Sequence, residues 1–388
     1  MIKSNLFGAA FLAAGVILTG CNGASDSANL TKSGLNPDNF KTEYRGDSTA
    51  LYLLVNKAGA EVCVTNFGGR VVSMMMPDRE GNLRDVVLGF DSVQDYFPEN
   101  NLSDLGASIG RYANRINGGE FTLDGDTVRL PRNNFGHCLH GGGEMGELGW
   151  QYRVYKAVQP NDSTLVLTLD SPDGDNGFPG RVEAKVTYVL RSDNALDISY
   201  EATTSKPTVV NMTNHSYFNL TGDPSKSVKE FLLTVNSREM TPVDSTFMTT
   251  GEVLAVEGTP FDFTTAKPVG QDIDFTECEQ ISFGMGYDHN FILSSDGNID
   301  VPAAELYSPE SGILLTVYTT EPGIQVYSGN FLDGTMTGKG GKKIERRSGI
   351  CLETQHYPDS PNKPQWPSTR LNPDEKYVSR TIYKFNVK

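Results

Sequence analysis

Apolar and polar residues alternate along much of this chain with a period of two. In one such run, between 181 and 190, the apolar positions are Val182, Ala184, Val186, Tyr188 and Leu190. Similar alternation occurs at 164–169 and 196–201, near Val62, and at 313–319 and 381–387. This period places one face of a β-strand on a hydrophobic core and the other face in water, so these runs predict amphipathic strands.

The segments between these runs carry residues that favour turns. Examples are Leu123-Asp-Gly-Asp126 and Ser171-Pro-Asp-Gly-Asp-Asn-Gly177, and the chain contains 40 glycines. Helical periodicity is weak, and only 92–97 is expected to form one short helical turn. Many strands without alternating helices predict an all-β protein with antiparallel strands, built as a large sandwich or a barrel.

The first 36 residues do not follow this pattern. Lys3 precedes an apolar run from Phe7 to Leu18, which is shorter than the roughly 20 residues that cross a bilayer. It therefore predicts a signal peptide over residues 1–20. Leu18-Thr19-Gly20-Cys21 resembles a bacterial lipobox, in which the cysteine becomes the acylated first residue; a plain signal peptide cut nearby is the alternative.

These features predict an exported lipoprotein of a bacterial cell envelope, anchored to the membrane through Cys21. Residues 21–36 are small and polar and are expected to form a flexible tether. Residues 37–388 contain no linker or charge block and are expected to form a single domain.

The formal charge of −15 argues against nucleic acid or an anionic membrane surface as a partner, and it is unfavourable for phosphorylated substrates. The number and spacing of the cysteines do not show whether the protein contains a disulfide. The spacing of the cysteines that follow Cys21 does not require a disulfide, although an exported protein could form one.

Three motifs suggest other functions, and each lacks its structural context. Gly106-Ala-Ser-Ile-Gly110 matches the nucleophile elbow of serine hydrolases, but that motif needs a strand before it and a helix after it. Gly141–Gly146 matches a dinucleotide-binding pattern, which must be followed by a helix, but residues 150–158 are predicted to form a strand. His137, Cys138 and His140 lack a fourth ligand for a structural zinc site, so we expect no metal there.

Polar residues with useful chemistry lie at the ends of several predicted strands. His140 precedes two glycines, and His215 lies among amide and hydroxyl side chains that can fix its tautomer. Glu353 follows the apolar run 350–352, so it should be paired or have a raised pKa, as suits a general base. Asp288 lies in a similar polar segment, whereas His137, His289 and His356 are expected to be structural.

Several segments resemble those of the aldose 1-epimerases, also called galactose mutarotases, and they run in that family's order. They are Gly110-Arg-Tyr-Ala-Asn-Arg-Ile116, Leu139-His-Gly-Gly142, Asn214-His-Ser-Tyr-Phe-Asn-Leu220, Gly286-Tyr-Asp-His-Asn-Phe291, Glu321-Pro-Gly-Ile-Gln-Val-Tyr-Ser-Gly-Asn330 and Leu352-Glu-Thr-Gln355. The resemblance extends from about Phe40 to Lys388. One departure is Asn372-Pro-Asp-Glu375, which replaces the family's usual Pro-Gly-Glu and leaves the substrate preference open.

The resemblance implies a large antiparallel β-sandwich with few short helices, and an isomerase that interconverts the α and β anomers of free aldohexoses such as glucose and galactose. It implies His215 as general acid and Glu353 as general base, with no required cofactor; calcium is possible but has no support in the sequence. The implied substrate-binding residues are Asn114, Arg115, His140, Tyr217, Asp288 and Gln325. We expect a monomer whose partner is a monosaccharide.

The sequence alone also allows other functions that occur on related β-sandwiches. A non-catalytic carbohydrate-binding protein would keep the cleft but could lose His215 or Glu353, and both are present. A glycosidase or lyase would use a pair of carboxylates, for which Asp288 and Glu353 are candidates. An epimerase of hexose 6-phosphates would need a cationic pocket, and only Arg115 suggests one.

Overall fold

The computed structural model describes residues 30–142 and 149–388. Within these ranges strands dominate, and the single α-helix, α1, spans Glu279–Gly284. Short 3-10 turns occupy Pro37–Phe40, Gln94–Tyr96, Asn117–Gly119, Trp150–Tyr152, Asp175–Gly177, Val228–Glu230, Lys339–Gly341 and Ser360–Asn362. No helix in the described part of the chain is long and apolar enough to cross a bilayer. The predicted signal peptide and Cys21 lie outside the described residues.

The strands of the first half of the chain are β1 (Glu43–Tyr44), β2 (Asp47–Ser48), β3 (Leu51–Val55), β4 (Glu61–Thr65), β5 (Arg70–Pro77), β6 (Leu83–Asp85), β7 (Ala107–Ile109), β8 (Arg115–Ile116), β9 (Glu120–Leu123), β10 (Asp126–Arg129), β11 (Cys138–Leu139), β12 (Lys156–Asn161), β13 (Thr164–Ser171), β14 (Val182–Leu190) and β15 (Ala195–Thr204). Those of the second half are β16 (Thr208–Val209), β17 (Thr213–His215), β18 (Tyr217–Phe218), β19 (Leu232–Val235), β20 (Ser237–Thr241), β21 (Leu254–Ala255), β22 (Lys267–Pro268), β23 (Asp288–Leu293), β24 (Ala304–Tyr307), β25 (Ile313–Thr319), β26 (Gly323–Tyr327), β27 (Ile350–Gln355), β28 (Arg370–Leu371) and β29 (Tyr377–Val387).

Two large antiparallel sheets organise these strands. The first has nine strands in the order β12-β13-β14-β15-β29-β25-β24-β19-β22, and the second has six in the order β18-β27-β26-β23-β20-β21. A four-stranded sheet, β3-β4-β5-β6, adds to them. Buried residues of both large sheets, such as Val186 and Leu352, belong to one hydrophobic cluster. The prediction of an all-β antiparallel sandwich with few short helices is therefore confirmed.

The two large sheets bury their strands differently. In β14 the residues alternate between buried and more exposed positions, and Lys185 on the outer face pairs with Glu201 of β15. Every residue of β26 and of β27 is buried. Because successive side chains of a strand point to opposite faces, both faces of β27 are covered by protein. A polar side chain on β27 therefore points into the interior of the molecule.

The tether prediction is wrong for residues 31–36. Leu35 is 1% exposed and packs in the same hydrophobic cluster as Phe40. Lys32 donates its backbone N–H to Glu61 Oε1 at 2.7 Å, which ties this segment to β4. Two leucines five residues apart in a polar run, Leu30 and Leu35, give no periodic signal, so the sequence did not predict that Leu35 is buried. Of the rest of the predicted tether, Leu30 is 49% exposed, and residues 21–29 lie outside the described residues.

The strand predicted over 150–158 is only partly correct. Residues Trp150–Tyr152 form a 3-10 turn, and the strand begins at Lys156. The Trp150 ring lies directly on the backbone of Gly110, where an added Cβ would be 2.0 Å from a ring carbon. This contact fixes the turn and requires glycine at position 110. The short helical turn expected within 92–97 is present at Gln94–Tyr96.

Candidate active site

A cavity of about 520 Å³ brings together all of the residues that the sequence singled out for catalysis and binding. They are His215, Glu353, Asn114, Arg115, His140, Tyr217, Asp288 and Gln325. They come from strands and loops that are far apart in the sequence. A cavity in which several polar side chains converge among apolar ones is typical of a site for a small polar ligand.

A larger groove of about 1000 Å³ lies over the outer face of β12–β15, but its charged groups are largely paired with one another. Arg181 contacts Asp170 at 2.8 Å, and Lys185 contacts Glu201 at 2.7 Å. Side chains that already satisfy each other offer little to a ligand. We therefore place the candidate site in the smaller cavity.

Glu353 is placed by the alternation of β27. Ile350 and Leu352 belong to the main hydrophobic core, and Glu353 points to the opposite face, into the cavity. It is 2% exposed, and among the described residues its Oε2 has no hydrogen-bond partner. Burial, reinforced by the negative charge of Asp288, raises the pKa of Glu353 well above its usual range.

His215 lies at the end of β17, which pairs with β7 so that His215 is opposite Ala107. Its Nε2 is 3.6 Å from Glu353 Oε1, and its Nδ1 is 3.5 Å from the Cys351 sulfur. The Tyr217 ring stacks on the imidazole with centroids 5.0 Å apart. Burial lowers the pKa of His215.

The His215–Glu353 pair can hold one proton without net charge. Burial lowers the pKa of the imidazole and raises that of the carboxyl, so an empty site disfavours a charge on either group. At a separation of 3.6 Å the charge of one group acts directly on the other. The arrangement can therefore donate a proton from one member and accept one on the other.

Arg115, Asp288 and Gln325 form a second polar group in the cavity. Gln325 Nε2 donates to Asp288 Oδ1 at 2.7 Å, and the two residues lie on the neighbouring strands β26 and β23. Arg115 donates through Nε and Nη2 to Asn134 Oδ1 and lies 5.3 Å from the Phe247 ring. The pKa of Asp288 is raised by burial, and the positive charge of Arg115 opposes that change.

Asn114 and His140 hold each other in place. Their φ angles are +60° and +53°, in the left-handed region. The Asn114 backbone N–H donates to His140 Nδ1 at 3.1 Å, and the His140 N–H donates to Asn114 O at 2.9 Å. Nδ1 is thus an acceptor, so the neutral ring carries its proton on Nε2. Burial lowers the pKa of His140 well below its usual range, which keeps the ring neutral.

The other histidines lie outside this cavity and have partners of their own. His137 accepts a hydrogen bond from the Gly118 N–H and contacts the Thr246 hydroxyl, and His356 contacts Glu321. His289 accepts a hydrogen bond from the Asp288 N–H. Ser108, the serine of the hydrolase-like motif, lies within β7 and hydrogen bonds to Tyr188, so it is not an exposed nucleophile.

The cavity also contains residues that the sequence did not single out. Asp104 lies on its wall, and the exposed side chains Leu102, Phe135 and Phe331 line it as well. A large apolar side chain exposed beside a polar cavity can cover the C–H face of a sugar. None of these residues belongs to a recognisable motif, so only the three-dimensional structure identifies them.

A buried histidine–glutamate pair in a cavity of amide, imidazole and carboxylate groups, on an all-β scaffold, has the chemistry of a site that transfers protons on a small polar ligand. A sequence profile of the family described as aldose 1-epimerase matches residues 50–384. The chain belongs to that family and is an isomerase.

Its relatives resemble it over almost their whole length. It is 40% identical to an aldose 1-epimerase of Escherichia coli over 342 residues, which cover 88% of this chain and 96% of that protein. It is 39% identical to a galactose mutarotase of Rattus norvegicus, over 84% of this chain and 91% of that one. The crystal structure of a galactose 1-epimerase from Lactobacillus acidophilus superposes with a TM-score of 0.77 at 30% identity, covering 89% of this chain and 97% of that one.

Proposed function

We propose that this enzyme interconverts the α and β anomers of free aldohexoses such as glucose and galactose, with His215 as general acid and Glu353 as general base. The observation that carries this proposal is the separation of 3.6 Å between His215 Nε2 and Glu353 Oε1, both buried at the wall of one cavity. The names of the relatives support the same reaction.

The reaction needs two proton transfers. Glu353 accepts the proton of the C1 hydroxyl while His215 donates a proton to the ring oxygen. The C1–O5 bond then breaks, its electron pair stays on O5, and C1 becomes an aldehyde. Rotation about C1–C2 presents the other face of the aldehyde, and reversal of both transfers closes the ring. Each positioned group contributes about 10²–10⁴-fold to the rate.

The starting state requires an ionised Glu353 and a protonated His215. The positive charge of Arg115 acts in this direction because it lowers the pKa of Glu353. The free Oε2 of Glu353 is available to accept the C1 hydroxyl proton. These proton transfers involve no change of oxidation state, so we propose that no redox cofactor is needed.

The remaining cavity residues bind and orient the sugar. Asp288 and Gln325 present acceptor and donor groups to sugar hydroxyls, and Asn114 and Tyr217 add further polar contacts. The neutral His140, with its proton on Nε2, and the Arg115 guanidinium stabilise negative charge that develops near O5 and O1. A phosphorylated sugar would bring two further negative charges beside Asp288 and Glu353, so we favour a free sugar.

The His–Glu arrangement also favours an epimerase over a glycosidase. In a glycosidase Asp288 and Glu353 would act as the carboxylate pair. Here Asp288 accepts a hydrogen bond from Gln325 and faces Arg115, as expected of a binding group, and Glu353 faces His215.

Polarimetry of freshly dissolved α-glucose and α-galactose tests the proposal. The wild-type protein should accelerate equilibration, and Glu353→Gln or His215→Asn should each remove most of that acceleration while the protein stays folded. His137→Asn is a matched control because this histidine lies outside the cavity. Full activity in both site variants would refute the assignment of the acid and the base. A wild-type protein without any effect on either sugar, or on other aldoses, would refute the reaction.

We also propose that the enzyme is a monomer anchored in a bacterial cell envelope by acyl chains on Cys21. The lipobox-like sequence Leu18–Cys21 supports this proposal. Labelling with an alkyne-tagged fatty acid during expression should modify the wild-type protein and not Cys21→Ser. Equal labelling of both would refute the anchor, and a dimer mass in light scattering of the acyl-free domain would refute the monomer.

A further inference from the structure

Asp104 is a carboxylate in the cavity that has no role in the reaction as described so far. One of its carboxylate oxygens and one ring nitrogen of each of His140 and His215 lie within 4.8 Å of one another. Among the residues that the structure describes, its Oδ1 is buried and has no hydrogen-bond partner. An unpartnered carboxylate oxygen beside a catalytic imidazole calls for an explanation, because leaving such a group unpaired costs free energy.

The backbone holds Asp104 against His215. The N–H of Gly106 donates to the carbonyl oxygen of His215 at 2.9 Å, and the N–H of Ala107 donates to the carbonyl oxygen of Asp104 at 3.0 Å. The Asn214 side chain donates to the Gly106 carbonyl oxygen at 3.1 Å. The loop that carries Asp104 and the strand that carries His215 are therefore one hydrogen-bonded unit.

Arg70 and Tyr152 lie beside Asp104. Arg70 donates to the carbonyl oxygen of Leu105, the next residue, at 3.0 Å, so its positive charge lies close by. The Tyr152 hydroxyl interacts with the Asp104 carboxylate, and burial first and the negative charge of Asp104 second raise the pKa of Tyr152. Tyr152 thus remains a neutral phenol.

The other groups around His215 do not supply a comparable negative charge. His140 is neutral, Cys351 is a thiol whose pKa is raised by burial, and Glu353 has a raised pKa of its own. The groups that face His215 are Asp104 from the loop before β7, His140 from the loop after β11, Tyr217 from β18, Tyr327 from β26, Cys351 and Glu353 from β27, and, at longer range, Arg70 from β5.

We propose that Asp104 is a positioning residue that keeps the transferable proton on His215. This inference rests on the proposed function, in which His215 must carry a proton before it can donate one to the ring oxygen. Without a nearby negative charge, burial would leave the imidazole neutral and the proton on Glu353. Asp104 lies in one cluster with His215, whereas Glu353 does not belong to that cluster. Its carboxylate therefore stabilises a proton on His215 more than one on Glu353, which leaves Glu353 as the base.

The sign of the effect is determined by electrostatics. Removing the charge of Asp104 destabilises the protonated form of every neighbouring group, so the pKa values of His215 and Glu353 both fall. The His215–Glu353 pair then loses its shared proton at a lower pH. An opposite charge within about 4–6 Å typically shifts a pKa by about 1–3 units, so the expected fall for His215 is about one unit or more.

The test compares Asp104→Asn with Asp104→Glu, and uses Asp47→Asn as a control for the loss of one charge at an exposed site. The titration of His215 is followed by NMR of its ring protons, which is practical because the chain has five histidines. His215→Asn assigns the signal. In parallel, kcat and KM for α-galactose are measured against pH, and circular dichroism verifies folding.

In Asp104→Asn we expect the midpoint of the His215 titration, and the high-pH limb of the kcat profile, to move down by about one unit or more. KM should change little, and kcat should approach the wild-type value as the pH is lowered. Asp104→Glu should recover most of the shift, and Asp47→Asn should show none. An unchanged His215 midpoint in folded Asp104→Asn would overturn the inference, even if activity were lost at every pH. If wild type has no activity, the proposed function fails, whereas the His215 titration still decides the coupling to Asp104.

Discussion

Replacing Glu353 by glutamine should stabilise the folded protein while it removes the activity. Glu353 is 2% exposed, its Oε2 is buried without a hydrogen-bond partner among the described residues, and Asp288 adds a second negative charge to the same cavity. A buried polar group left unsatisfied costs about 1–3 kcal/mol, and a charged one costs more. A glutamine of nearly the same shape carries no charge, so the folded variant avoids the additional cost of burying a charge.

The effect should depend on pH with a definite sign. Burial raises the pKa of Glu353 above its ordinary value of 4.5, so the folded protein binds this proton more tightly than the unfolded chain does. The wild-type free energy of unfolding therefore falls as the pH rises above about 4.5, until the pH passes the folded-state pKa. Glutamine does not titrate. The free energy of unfolding of the variant, relative to that of wild type, should therefore rise by about 1.4 kcal/mol per pH unit over this interval.

Urea unfolding at pH 5 and pH 8, followed by circular dichroism, measures this gain. Glu80→Gln, which removes an exposed carboxylate, is the matched control and should show no comparable gain. A Glu353→Gln variant that is less stable than wild type at pH 8, or whose difference from wild type is the same at both pH values, would refute the raised pKa of Glu353 in the folded protein.

Three further predictions concern other contacts. Gln325→Leu removes the 2.7 Å hydrogen bond to Asp288 and an amide of the proposed sugar site, so steady-state kinetics should show KM raised about 10-fold or more with a smaller change in kcat. Phe331→Ala removes a 48% exposed ring at the cavity wall and should raise KM about 2- to 10-fold, with unfolding free energy within about 0.5 kcal/mol of wild type. Glu321→Gln breaks the 2.6 Å contact with His356. Glu321 raises the pKa of His356, so the contact stabilises the folded protein fully below pH 6.5 and less as the pH passes the folded-state pKa. Urea unfolding should therefore show that the variant loses about 1.5–3 kcal/mol of unfolding free energy at pH 6 and less at pH 9.

Long strands that are half-buried were predictable from the sequence. The run at 313–319 coincides with β25, and the run at 181–190 corresponds to β14. In these segments the period of two is imposed by one core-facing side, so the pattern is visible without knowledge of the neighbouring strands. The nine-stranded sheet is built mainly from such strands.

The strands that position the proposed catalytic pair were harder to predict. β17 has three residues and β7 has three, and their pairing joins segments about a hundred residues apart in the chain. β27 is buried on both faces and therefore shows no alternation. Glu353 could be selected because it follows an apolar run, whereas its distance from His215 depends on long-range pairing that a local pattern does not encode.

Asp104 was likewise not predictable from a local sequence pattern. It lies in a loop, belongs to no motif, and becomes notable only because β7 brings it within 4.8 Å of two histidine rings. Leu35 is a parallel case in the fold, since one buried side chain within a polar run converts part of a predicted tether into an anchored segment. Both depend on contacts between distant parts of the chain.

The central claim is that His215 and Glu353 share one proton and act as a unit. A double-mutant cycle tests it most directly, with polarimetric rates for wild type, His215→Asn, Glu353→Gln and the double variant, all verified as folded. Each single variant should lose about 10²-fold or more, and the double variant should lose about as much as the worse single variant, because either change already disables the pair. Losses that multiply in the double variant, or a single variant that keeps wild-type activity, would contradict the claim.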